Sequence, residues 1–176
     1  MVRVPGAGEV PLSQLICLGR GVLFMEIERK FLVSQLPDGL EQWPHSPIEQ
    51  AYLCRQPVVR VRREGETYTL TYKGEGLMER EEYNLPLSAQ AYRHLLSKAD
   101  PGVITKERYR IPLGPDTVEL DVFSPPLAPL VLAEVEFGSR AQADAFLPPM
   151  WFGREVTCDP AYTNAALSQA GRPPAS

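Results

Sequence analysis

Cysteine is scarce in this chain. Cys17, Cys54 and Cys158 lie far apart and form no C-x-x-C pair. An odd, scattered set argues against a disulfide framework and against a cysteine-held structural zinc. Histidine is scarcer still. His45 lies in a Pro-flanked loop and His94 in a predicted helix, and both read as structural rather than as bases or ligands. No apolar run approaches the roughly 20 residues of a membrane span. The stretch Leu15 to Leu18 is too short and poorly flanked for a secretory signal. Gly74-x-Gly76 lacks the G-K-[ST] of a phosphate-binding loop and reads as a hairpin turn. Positive charge is not in excess either: 18 Lys and Arg against 22 Asp and Glu give a net charge of -4. A general attraction to nucleic acid or an anionic membrane is therefore not expected. These absences point to a cytoplasmic protein that holds any anion by a local cluster of basic residues.

What is present is alternation. The 176 residues suffice for one compact domain. From Met25 onward apolar and charged residues alternate with period two, the signature of β-strands. The pattern predicts strands near 25–33, 49–55, 58–64, 67–73, 79–86, 103–111, 116–123 and 131–137. Turn signals separate them, among them Glu64-Gly65-Glu66 and Gly114-Pro115-Asp116. Helices are predicted over 89–99 behind an N-cap at Ser88, over 140–147 behind Ser139, and over about 160–169 starting at Pro160. Residues 1–24 carry no sustained pattern. They are expected to be a flexible arm or an over-extended start ahead of Met25, with one domain over 25–170 and a tail over 171–176. Strands at hairpin spacing predict an α+β, mainly β fold, an antiparallel sheet or barrel with flanking helices.

Successive side chains of a strand point to opposite faces. That rule sorts the charges into same-sign pairs at i, i+2. Glu26 and Glu28 share a face with Lys30; Arg60 pairs with Arg62, Lys106 with Arg108, Glu119 with Asp121, and Glu134 with Glu136. Lys73 ends its strand, and Arg80 shares a face with Glu82. A single strand with one charged face is usually a solvated surface. The whole set resists that explanation, because surfaces intersperse signs and like charges repel. Two unit charges ~4 Å apart interact by about 1 kcal/mol in bulk water and several-fold more near a protein surface. Carboxylate pairs ask for a hard divalent cation, and basic pairs ask for a polyanion. If the strands close, the charged face is a lumen and the apolar faces lie outside under the helices.

The same segments, taken in order, resemble a known family. Glu26-Ile27-Glu28-Arg29-Lys30 is similar to the E-x-E-x-K opening of the CYTH domain, or triphosphate tunnel metalloenzyme, family. The likeness continues through Gln50-Ala51-Tyr52-Leu53, Arg60-Val61-Arg62, Leu70-Thr71-Tyr72-Lys73, Arg80-Glu81-Glu82-Tyr83, Lys106-Glu107-Arg108, Glu119-Leu120-Asp121 and Glu134-Val135-Glu136. It departs at Ala51, often Gly in the family, and at Asn84, often acidic. The resemblance implies an eight-stranded antiparallel tunnel and hydrolysis of a triphosphate with one or two Mg²⁺ or Mn²⁺ ions. It implies metal sites from Glu26, Glu28, Glu119, Asp121, Glu134 and Glu136. Lys30, Arg60, Arg62, Lys73, Arg80 and Arg108 would grip phosphate, Glu82 would join the polar network, and Lys106 would assist the attacking water. Inorganic tripolyphosphate is the expected substrate. The alternatives on this scaffold are an adenylyl cyclase, a thiamine or nucleoside triphosphatase, and a non-catalytic polyphosphate-binding module.

Overall fold

The computed structural model describes residues 2–4, 8–10, 15–18, 21–75 and 78–175, with side chains from residue 26 onward except those of Glu79 and Arg80. Short strands β1 (Val2–Val4) and β2 (Gly8–Val10) pair with each other. Strand β3 (Leu15–Leu18) pairs with the start of β4 (Gly21–Leu32), so β4 begins four residues before the expected Met25. The other residues of the predicted 1–24 arm lie outside the described set.

The remaining strands are β5 (His45–Arg55), β6 (Val58–Glu64), β7 (Thr67–Lys73), β8 (Glu79–Pro86), β9 (Ile104–Leu113), β10 (Asp116–Phe123) and β11 (Val131–Glu136). All their pairings are antiparallel. Their order is β4-β11-β10-β9-β5-β6-β7-β8, and β8 pairs back onto β4. Eight strands thus close a ring, as the family resemblance implies. Gly65 (φ 55°) and Gly114 (φ 60°) supply the left-handed backbone that the tight β6–β7 and β9–β10 turns require. Strand β5 starts at His45 rather than 49. Pro44 and Pro47 hide its beginning in the sequence, yet Pro47 pairs with Glu107 and its carbonyl accepts from Gly65 N.

Two of the three hydrophobic clusters lie outside the ring. Helix α1 (Ala89–Leu96) lays Tyr92 over Ala51 and Val61. Helix α2 (Arg140–Ala145) and the segment around Phe146 to Phe152 cover Ile27, Val118, Leu120, Val135 and Phe137. Helix α3 (Asn164–Ala170) packs Leu167 with Tyr52, Ile104, Phe123 and Leu132, which share the inner face of their strands with Gln50, Lys106, Asp121 and Glu134. Ser88 and Ser139 accept the capping hydrogen bonds predicted for them, from Ala91 N and Gln142 N. The last predicted helix is divided. A single 3-10 turn occupies Pro160–Tyr162, and Thr163 then caps Ala166 N and restarts the chain as α3. Among the described residues no helix is long and apolar enough to cross a membrane.

Candidate active site

Because apolar side chains take most of the outer faces, polar ones fill most of the inside. The lumen is a cavity of about 1300 Å³, and its two signs of charge are segregated around the ring. Strands β8, β4, β11 and β10 contribute the carboxylates: Glu82, then Glu26 and Glu28, then Glu134 and Glu136, then Glu119 and Asp121. Strands β9, β6 and β7 contribute the cations: Lys106, Arg108 and Arg110, then Arg60 and Arg62, then Lys73. Among the described side chains, Lys30 on β4 and Glu64 on β6 are the exceptions. Strand β5, between β9 and β6, adds the neutral Ser46, Gln50 and Tyr52.

The two arcs meet in ion pairs. Lys73 Nζ lies 2.7 Å from both Glu26 oxygens and 2.6 Å from Glu82. Lys30 Nζ lies 2.9 Å from Glu134 and 3.4 Å from Glu28. Arg108 donates to both Asp121 oxygens at 2.6 Å, to Glu134 at 2.8 Å and to Glu119. Asp121 is fully buried behind Arg108 and also pairs with Lys106. Lys106 lies against the Phe123 ring, 5.2 Å from its centroid. Neither Lys106 nor Asp121 lines the cavity in this conformation, whereas Glu26, Glu28, Lys30, Arg60, Arg62, Lys73, Glu82, Arg108, Glu119, Glu134 and Glu136 do. The side chain of Arg80 is outside the described residues; its backbone pairs with that of Glu26.

Electrostatics follow from this layout. Burial drives the Glu134 carboxyl upward, but Lys30, Arg108 and Lys106 overcome it and hold it well below the carboxylate range. Glu136 has no such partner among its strongest influences. The surrounding walls and the carboxylates of Glu26, Glu119, Glu28 and Glu82 push it up to about 8, although water in the cavity reaches its side chain. Burial also raises Glu28, opposed by Lys30 and reinforced by Glu26 and Glu134. Burial lowers Arg62, and the neighbouring Arg60 and Arg108 lower it further. Burial likewise brings the Lys106 ammonium down to about 8, against the pull of Asp121. The Nε of Arg60 is buried without a hydrogen-bond partner, while its Nη1 reaches Gln50 at 3.4 Å.

Several participants do not stand out in the sequence. Asn84 donates to Glu82 at 2.6 Å and accepts from Thr71 at 2.7 Å, so the residue that departs from the family pattern orients a carboxylate. Arg110, Glu64 and Ser46 form a cluster of their own on the wall. Tyr52 and Tyr162 also line the cavity, but both are buried; Tyr52 Oη takes Gln50 and Tyr162 Oη takes Arg154. Arg29, the one charge on the apolar face of its strand, is also accounted for. It chelates Glu155 at 2.6 and 2.8 Å and the carbonyls of Ala143 and Phe146 at 3.0 and 3.1 Å, which ties α2 to the barrel.

The donor set suits a hard divalent cation. It is all oxygen, it lies on adjacent strands, and its least compensated member, Glu136, is strained by like charge. Among the described residues no three carboxylates already converge closely enough to hold a metal. Most of them are turned instead toward lysine and arginine. A cation arriving with a polyanion that occupies those lysines and arginines fits this arrangement.

Residues 25–137 match the CYTH domain. The chain belongs to the CYTH domain family. It is 42% identical over 148 residues to an inorganic triphosphatase of Nitrosomonas europaea, covering 81% of this chain and 96% of that protein. It is 35% identical to an inorganic triphosphatase of Acetivibrio thermocellus, covering 81% and 92%. A crystal structure of an inorganic triphosphatase superposes with a TM-score of 0.62 at 40% identity, covering 81% of this chain and 93% of that one.

Proposed function

We propose that this CYTH protein hydrolyses inorganic tripolyphosphate to diphosphate and phosphate with the help of a divalent cation. The observation that carries the reading is the division of one lumen into a carboxylate arc and a cation arc. A metal–triphosphate complex has the matching division, with cation on one side and bare phosphate oxygens on the other. The relatives named inorganic triphosphatase support the same reading.

Phosphoryl transfer needs positioning and charge neutralisation more than covalent chemistry. Arg60, Arg62, Lys73, Lys30 and Arg108, with Arg80, grip phosphate oxygens along the lumen. Arg108 leaves its carboxylates for phosphate, and that uncovers Asp121 and Lys106 behind it. Asp121, with Glu26, Glu28, Glu119, Glu134 and Glu136, would hold the cation, and Lys106 would assist the attacking water. Glu82, held by Lys73 and Asn84, keeps the β8 side of the network in place. Mg²⁺ or Mn²⁺, as one or two ions, supplies neutralisation of the triphosphate and activation of water. The protein acts in the cytoplasm on a small polyanion, without nucleic acid or membrane.

An inorganic substrate is favoured over an organic one because charged side chains dominate the lumen, and of the tyrosines that line it only Tyr72 is exposed, packed against Tyr83. Tyr52 and Tyr162 have their hydroxyls engaged and their rings buried. Tyr68 stacks on Tyr92 under α1, and Phe31 on Phe152 outside the ring. The test compares kcat/KM for tripolyphosphate, ATP and thiamine triphosphate at one metal concentration and pH. Tripolyphosphate is expected to exceed both; an equal or higher value for either organic substrate overturns the preference.

A further inference from the structure

Glu64 is the one negative charge on the lumen face of the cation arc among the described residues. Its position comes from the alternation of β6, where Arg60, Arg62 and Glu64 follow one another on the same face. Its two oxygens have different partners. Oε2 accepts from Arg62 Nη2 at 2.6 Å. Oε1 accepts from Ser46 Oγ at 3.0 Å and from Arg110 Nη2. Arg110 Nη1 also donates to Ser46 Oγ at 3.3 Å, and its Nε lies 3.7 Å from Glu119. The Glu64 carboxylate is thus shared between a phosphate-gripping arginine and a second, half-exposed arginine two residues beyond Arg108 on β9.

That sharing creates a problem for a polyanion. Phosphate approaching Arg62 meets a carboxylate already bound there, and two like charges at contact distance in a partly enclosed site repel strongly. Glu64 can give up Arg62 only if its charge keeps a partner elsewhere. Arg110 and Ser46 already provide one, with two donors on Oε1, so only Oε2 has to change company. We infer that Arg110 and Ser46 form a holding site for the Glu64 carboxylate, which frees Arg62 for the substrate. Arg110 is on this account a positioning residue that acts through Glu64. In the free protein Glu64 offsets the positive charge gathered by Arg60, Arg62 and Arg108. In the occupied protein it stays with Arg110, and phosphate replaces it on Arg62. The inference rests on the reading that Arg62 grips a triphosphate.

Steady-state kinetics on tripolyphosphate at saturating Mg²⁺ test it, with wild type, Arg110→Gln, Arg110→Lys, Glu64→Gln and the double variant Glu64→Gln/Arg110→Gln. Circular dichroism melts verify that each is folded. Arg110→Gln is expected to raise KM roughly fivefold, with a much smaller change in kcat. Arg110→Lys should recover part of that loss, since an ammonium still holds the carboxylate. In the Glu64→Gln background the Arg110→Gln penalty should shrink to less than about twofold, because no charge is left to hold. An unchanged KM in Arg110→Gln overturns the inference. So does a penalty that persists at full size without Glu64, since Arg110 would then touch substrate itself. A wild type that hydrolyses no triphosphate overturns the parent reading and this one with it. A wild type active on tripolyphosphate beside an unaffected Arg110→Gln overturns only this one.

Discussion

Lys30 and Glu134 stand opposite one another where β4 meets β11, with ammonium and carboxylate 2.9 Å apart. On the proposed reading one closes the phosphate grip and the other belongs to the cation-binding carboxylates, and the free site is neutralised from within. The same pair helps seal the barrel at its β4–β11 seam.

This pairing predicts unequal effects for two carboxylate substitutions. Glu28→Gln and Glu134→Gln should each lower metal-dependent turnover by on the order of a hundredfold or more, because amides are poor ligands for hard cations. Their stabilities should diverge in chelator. Burial and two neighbouring carboxylates already raise Glu28, so neutralising it relieves repulsion and the melting temperature should hold or rise. Glu134 is the counter-charge of Lys30 and Arg108, and its loss should cost about 2 kcal/mol. Paired thermal melts and phosphate-release assays check both halves. Retained metal-dependent turnover in both variants removes these residues from the site.

Glu64 gives a pH dependence of defined sign. Burial pushes its carboxyl up, but Arg62, Arg110 and Ser46 outweigh it and bring it down to about 2. A folded-state pKa below the ordinary 4.5 stabilises the fold fully above about pH 4.5 and is lost as pH falls toward 2. Urea unfolding at several pH values between 2 and 5 should show wild type losing stability faster than Glu64→Gln. The difference should be on the order of 2 kcal/mol across that window. Parallel curves for the two proteins would contradict the pairing.

Residues 1–24 are proposed to be dispensable. Strand β3 lies against only the first residues of β4, whereas the pairs that close the ring run from Phe24↔Glu82 through Glu28↔Glu136 and on to Leu32↔Leu132. A chain starting at Met25 keeps nearly all of them. It should fold with a melting temperature within a few degrees of the full chain and an unchanged kcat/KM. A large drop in either makes the segment structural.

The strands and their inner faces were legible because period-two alternation survives tertiary packing when one face is mostly charged, while the closing of the ring came from the family resemblance. Glu119 and Asp121 on one face of β10, with Val118 and Leu120 on the other, leave little choice of register or side. Legibility failed where other chemistry covers the pattern. Prolines hide the start of β5, and a side-chain cap at Thr163 breaks one helix into two pieces. The pairing of Glu64 with Arg110 spans strands that are not neighbours in the ring, and no local pattern reports such a contact. The available sign was parity. Arg110 continues the Lys106 and Arg108 series, and Glu64 continues Arg60 and Arg62. The burial of Asp121 behind Arg108 was also invisible, since alternation assigns a face and not a depth.

The central claim is that a split-charge lumen hydrolyses a triphosphate only when a divalent cation completes it. The most direct measurement follows the products of tripolyphosphate incubated with the full chain, with Mg²⁺, with Mn²⁺ and with chelator. The account predicts stoichiometric orthophosphate and diphosphate with either metal and neither product with chelator. Tight binding of tripolyphosphate without turnover in every metal, or hydrolysis undiminished by chelator, would contradict it.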